Sequence, residues 1–195
     1  MDSSDGTSID TMEAMKQYLI SVIPRYNRNS RISIINTGDN KTNLVLSPQD
    51  QVGDTSIRQF VSSMRTLNGE LSLENAFKYI LSNFGAFKTN NDDDSKTSVI
   101  VLTTGDFDQS KASNIQDKIV DLRKNFDSVF TFVVIGDPYK TNEFIRPKLT
   151  GNDVIVEVRT PDKLPATTDE VHAAITDSLT GRWLVIISYP LLSVQ

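Results

Sequence analysis

Oxygen-bearing side chains gather at three places in the sequence: Asp2-Ser3-Ser4-Asp5-Gly6, Gly69-Glu70-Leu71-Ser72 and Thr103-Thr104-Gly105-Asp106. Carboxylates and hydroxyls are hard ligands, suited to Mg²⁺ or Ca²⁺ and equally to hydrogen-bonded docking of a partner. Other chemistries find little support. The chain has no Cys, which removes disulfides, thiolate metal sites and cysteine nucleophiles. Its one His, His172, has no Ser or Cys nucleophile near it in sequence. No Gly-x-Ser-x-Gly elbow and no Gly-x-Gly-x-x-Gly turn occurs, so neither a hydrolase nor a dinucleotide site is expected.

Charge narrows the partners further. Twenty Lys and Arg against 25 Asp and Glu give a net charge of -5. No basic surplus exists to neutralise a phosphate backbone, so nucleic acid is not an expected partner. No stretch approaches the roughly 20 apolar residues that span a bilayer, so membrane insertion of this segment is not expected. The acidic, polar start MDSSDGTSID does not have the pattern of a signal peptide. Oligomeric state is not legible.

The elements that must position the three clusters alternate between two periodicities. Ser8 to Ile23 reads as an amphipathic helix with Ile9, Met12, Met15, Leu19 and Val22 on one stripe, ended by Pro24. Arg31 to Asn36 and Thr42 to Leu46 read as strands joined by the turn Thr37-Gly38-Asp39-Asn40, a hairpin. Thr55 to Met64 reads as a helix with Ile57, Phe60, Val61 and Met64 inward, and Leu73 to Phe84 as another with Ala76, Phe77, Ile80 and Leu81 inward. Ser98 to Thr103 and Val129 to Ile135 are continuous β-branched and aromatic runs, the signature of strands buried on both faces. Lys111 to Phe126 between them is helical, with Ile115, Ile119 and Leu122 inward. A shorter strand, Asp153 to Val158, a helix, Asp169 to Leu179, and the apolar run Trp183 to Ser188 complete the pattern.

This alternation predicts an α/β fold: a doubly wound, mostly parallel sheet with one antiparallel edge strand and helices on both faces. Ligands of such sheets bind beyond the carboxyl ends of the strands, which is where the clusters after the strands belong. We read 1–180 as one domain and 181–195 as a C-terminal strand segment.

With these residues in order, the chain resembles a von Willebrand factor type A domain, the integrin I-like fold. RISIINTGDNKTNLVLS is similar to that family's edge hairpin, SIRQFVSSMRTLNGELSLENAFKYIL to its second and third helices, and VIVLTTG to its central strand and following turn. The resemblance implies a metal-ion-dependent adhesion site: an Asp-x-Ser-x-Ser run, a Thr before the third helix and an Asp after the central strand. Here Asp2 and Ser4 match, while Gly6, Leu71 and Thr104 occupy the other three positions. The site is therefore expected to be degenerate, with Asp2 and Ser4 as residual ligands and no cofactor. The alternative is a site rebuilt from Asp5, Thr7, Glu70 and Asp106, which would take Mg²⁺ or Ca²⁺ and make binding cation-dependent. As helix-start residues and solvated loop charges, these four have simpler roles.

The resemblance implies a non-enzymatic interaction or adhesion module, extracellular or cell-surface, with a cytoplasmic scaffold as the alternative setting. Its rim would comprise Ser3, Ser4, Asp5, Gly6, Thr7, Gly69, Glu70, Leu71, Ser72, Thr104, Asp106 and Phe107, and its partner would be a protein. It also implies a central strand running directly into the Asp-x-Ser run, yet only Met1 precedes Asp2. An empty central slot would expose two rows of backbone groups, so something is expected to fill it: the chain's own Trp183 to Ser188 or Leu191 to Val194, a strand from another chain, or residues preceding Met1. Two further features are noted: Asp92-Asp93-Asp94 reads as a solvated loop, and Asn40-Lys41-Thr42 is a glycosylation acceptor sequence.

Overall fold

The computed structural model describes residues 4–25, 31–38, 41–46, 53–64, 73–83, 97–104, 109–178 and 183–188. Asp92 to Asp94, Asn40 and Leu191 to Val194 lie outside them. Six strands form one sheet among the described residues: β1 Arg31–Gly38, β2 Lys41–Leu46, β3 Thr97–Thr103, β4 Ser128–Ile135, β5 Val154–Val158 and β6 Trp183–Ser188. Their order is β2-β1-β6-β3-β4-β5. β2 is antiparallel to β1, and every other neighbouring pair is parallel. The sheet is thus mostly parallel with one antiparallel edge strand.

β6 occupies the slot between β1 and β3. Its six residues are in register with both neighbours, from Trp183 opposite Arg31 and Thr97 to Ser188 opposite Asn36 and Leu102. A strand paired along both edges leaves no backbone row open at the middle of the sheet.

Five helices flank the sheet among the described residues: α1 Ser4–Val22, α2 Asp54–Ser63, α3 Leu73–Ser82, α4 Ala112–Phe126 and α5 Thr168–Ser178. On one face α1, α2 and α5 cover Ile34, Ile100, Leu102, Val133, Ile135 and Ile186 with an aliphatic and methionine core that includes Met12, Met15 and Leu19. On the other, α3 and α4 pack Phe77, Ile80, Ile115, Ile119 and Phe126 against Val99, Val101, Phe130, Phe132 and Val134. The alternation along β3 and β4 sends successive residues to opposite cores, so both runs are mostly apolar, with Ser98 and Thr131 among the buried polar exceptions.

Local chemistry ends the elements where it should. Asp127 closes α4 in a left-handed conformation (φ 48°) that Asp tolerates better than most residues. Ser128 donates its hydroxyl to the Leu122 carbonyl, satisfying one of the orphan acceptors of that helix end. Asp153, whose side chain is fully buried, accepts from the Phe130 and Thr150 amides and pairs with Arg123 at 2.5 Å. This ties α4, β4 and the approach to β5 together.

Two expectations need correcting. α1 begins at Ser4, not Ser8, so Ser4 to Thr7 form its first turn instead of a loop before it. The first four amides of a helix have no intrahelical partner, so polar, weakly helical residues are tolerated there. Phe60 is 38% exposed, whereas Ile57, Val61 and Met64 are buried. Phe60 stands one residue, about 100°, off Val61 and falls at the border of the apolar stripe. Between β4 and β5 the chain forms a π-helical turn, Thr141–Ile145, and a 3₁₀ turn, Arg146–Lys148.

Candidate functional site at the carboxyl edge

The carboxyl edge is defined by Gly38, Thr103, Ile135, Val158 and Ser188, the last residues of the parallel strands. α1 ends shortly before β1 enters at the opposite, amino edge. With 19 residues it spans about 28 Å, so Ser4 and its first turn return to the carboxyl edge. Asp10 and Ala14 confirm the direction, because they face Pro161 and Asp162 just past the end of β5.

Where β1 and β3 reach this edge, their last residues turn polar. Asn36, Thr37 and Thr103 are buried there. Thr104, one step beyond β3, is half-buried. Its Oγ1 is shielded from solvent and has no hydrogen-bond partner among the described residues. All four side chains are neutral.

Of the predicted rim, Ser4, Asp5, Gly6 and Thr7 lie in the first turn of α1, and Thr104 follows β3. The structure therefore brings these two parts of the rim to one edge. Asp2, Ser3, Gly69, Glu70, Leu71, Ser72, Asp106 and Phe107 lie outside the described residues.

Two features of this edge were missed from sequence. The first is an open cleft of about 390 Å³ lined by Asp10, Ala14, Pro161 and Asp162. The Asp162 carboxyl is held below the usual carboxylate range, first by the Thr160 hydroxyl and then by Lys163. The second is the turn after β4. Gly136 takes a left-handed φ of 103° and donates its amide to the Val158 carbonyl at 2.8 Å. Asp137 Oδ1 accepts the Tyr139 amide at 2.9 Å, and the Tyr139 ring stands 60% exposed. A hydrogen bond to Glu143, and that carboxylate's charge, raise the Tyr139 hydroxyl's pKa. The dipeptide Gly136-Asp137 followed by Pro138 signals a turn, but nothing in its spacing shows which way Tyr139 faces.

His172 is half-buried on α5. It lies one turn beyond Asp169, which pairs with Arg25 at 2.8 Å near the amino edge. The chain's one imidazole therefore stands away from the rim.

No curated protein matches the chain. The von Willebrand factor type A domain family matches it over residues 1–169, a stretch that takes in every element up to the start of α5 and leaves out β6. Domains of this family generally mediate protein–protein interactions. The order of strands and helices, the antiparallel edge hairpin and this match agree, and the chain belongs to the von Willebrand factor type A domain family.

Proposed function

We propose that this domain is a non-enzymatic protein-interaction module that docks its partner by shape and hydrogen bonds, without a cation-bridged carboxylate. Thr104 carries the proposal. It stands where the family's acidic ligand follows the central strands, and it offers a neutral hydroxyl in place of a charge. Its Oγ1, shielded and without a hydrogen-bond partner among the described residues, is a polar group that this edge leaves unsatisfied.

The donor set fits Mg²⁺ poorly. Mg²⁺ demands near-octahedral oxygen geometry and gives up water reluctantly. Leu71 carries no side-chain oxygen, Gly6 carries no side chain, and Thr104 lacks the carboxylate. Asp2 is then the one formal charge among the five motif positions. The position of His172 beside the amino edge supports a non-enzymatic role, because it leaves the rim without an imidazole base. The setting we assign is extracellular or cell-surface, as in the family's adhesion and receptor domains.

Calorimetric titration with Mg²⁺, Mn²⁺ and Ca²⁺, on the wild type and on Asp2→Ala, tests the metal-independent reading. Heats no larger than dilution are expected for both proteins. Millimolar or tighter binding that disappears in Asp2→Ala would overturn the reading and favour the rebuilt cation site.

A further inference from the structure

We propose that β6 is an exchangeable strand: the slot between β1 and β3 accepts the β6 of a second copy of this chain, giving a reciprocal strand-swapped dimer. This exchange does not depend on what the rim binds.

The topology makes β6 an arm. It is the last described element in sequence, yet it lies inside the sheet with a neighbour on each side. Its ladders run to β1 and β3, strands far upstream. α5, the helix that precedes it, packs on α1, β4, β5 and the 3₁₀ segment Pro161–Thr167. In the sheet β4 lies two positions from β6, and β5 three. β6 is therefore held by strands it is not joined to, and joined to a helix seated over other strands. The four residues Leu179-Thr180-Gly181-Arg182 connect the two.

Exchange restores every contact that it breaks. An identical strand from another copy rebuilds both ladders, from Trp183 beside Arg31 and Thr97 to Ser188 beside Asn36 and Leu102. It also returns Ile186 to the core of the α1 face. The closed and swapped forms then differ in the link and in the entropy of association, which makes the swap of an identical element an accessible route to a dimer. Folding order favours it too. Pairing between strands distant in sequence is slow, so the slot presents two open edges that the β6 of either copy can fill. The seam with β1 also opens more easily than a fully satisfied one. Ser33, opposite Val185, is buried, and its Oγ has no hydrogen-bond partner among the described residues. Opening the seam hydrates that hydroxyl.

The exchange reaches the candidate site. Ser188 ends β6 at the carboxyl edge, between Asn36 of β1 and Leu102 of β3. In the swapped dimer each carboxyl edge is completed by Ser188 of the other copy, and one particle carries two rims. Two linked rims raise avidity for a partner that offers two sites.

The test uses the full chain, whose lack of Cys leaves engineered thiols unambiguous. Ile100 and Ile186 are register partners on β3 and β6. Ile100→Cys and Ile186→Cys variants are mixed, unfolded in urea and refolded together under oxidising conditions. A disulfide needs Cα atoms within about 7 Å, so the two chains link where β6 of one lies beside β3 of the other. A linked dimer is expected after refolding at high protein concentration and should fade at low concentration. Neither variant refolded alone should link. Wild type refolded at high concentration should show, by light scattering, a species of twice the chain mass that persists on dilution. Wild type that stays monomeric at every concentration would overturn the proposal. So would a dimer whose folded, mixed variants do not link, because it must join through another surface, and so would equal linking in either variant alone. Circular dichroism identifies the folded variants.

Discussion

The two faces of the sheet are built from different materials. Apart from buried Tyr18, the α1 face is aliphatic and methionine-rich, with Met12, Met15, Leu19, Ile34 and Ile186 in its core. The α3–α4 face is aromatic: Phe77 meets Phe130 edge-on at 6.0 Å, and Phe130 stacks near Phe132 at 6.2 Å. Arg123 lies over the Phe130 ring at 5.7 Å while its guanidinium holds buried Asp153. Methionine and leucine adapt to irregular gaps, whereas rings interlock in few arrangements. The aromatic face is therefore expected to fix the geometry of β3 and β4, from whose ends Thr104 and Tyr139 extend. The α1 face is the one that tolerates change.

The largest effect should come from removing what the two faces share. Truncation after residue 182 deletes β6, which is paired along both edges and contributes Ile186 to the α1 face. The β1–β2 hairpin and the β3-β4-β5 sheet would be left with facing unpaired edges. Calorimetry of the truncated chain should show no cooperative unfolding transition. A sharp transition near that of the full chain would mean that β6 is dispensable and that the faces cohere without it.

Within the aromatic face, Phe130→Ala should destabilise by about 3–5 kcal/mol, from lost transfer energy and a cavity between β4 and α3. Asp153→Ala should come next, at about 3 kcal/mol, because the Phe130 and Thr150 amides and the Arg123 guanidinium all lose their acceptor. Urea titrations measure both. On the opposite face, Met15→Leu should lose less than about 1.5 kcal/mol, since volume is nearly conserved and neighbours can readjust. Equal losses for Phe130→Leu and Met15→Leu would erase the distinction between the faces.

Much of this architecture was legible in the sequence, for a physical reason. Strands buried on both faces must be apolar at every position, and TSVIVLT and SVFTFVVI are nearly so. The place of β6 could be inferred because an empty central slot would leave backbone groups unpaired and WLVIIS is too apolar for a solvated tail. Less legible were turns whose order comes from tertiary contact. The π-helical turn at 141–145 and the 3₁₀ segment Pro161–Thr167 have no periodic stripe, and Pro147, Pro161 and Pro165 read as breakers. Each is nevertheless pinned by a buried side chain, Ile145 or Leu164. At the site, Thr104 was legible from its position after β3, whereas the exposure of Tyr139 follows from a turn whose geometry Gly136 and Asp137 set. Residues that act through a neighbour's geometry leave little trace in spacing.

The smallest expected effect lies at the amino edge, on the tolerant face, where Arg25 pairs with Asp169 and links the end of α1 to the start of α5. The hydrogen bond from Arg25, and then its charge, hold the Asp169 carboxyl below its ordinary 3.8. A carboxyl with a depressed pKa in the folded state adds stability that is fully present above the unfolded value. That contribution is lost as pH falls through the folded one. Arg25→Ala should therefore unfold slightly below the wild type's melting temperature at neutral pH. The gap should close in acid, once Asp169 is protonated in both proteins. Other carboxylates titrate alike in the two chains, so the difference between them isolates this pair. Added salt should also narrow the gap, because the pair is exposed and screened. A gap that persists unchanged in acid would assign the effect to the packing of the Arg25 stem instead of its charge, and would make the α1 face less tolerant than its aliphatic composition implies.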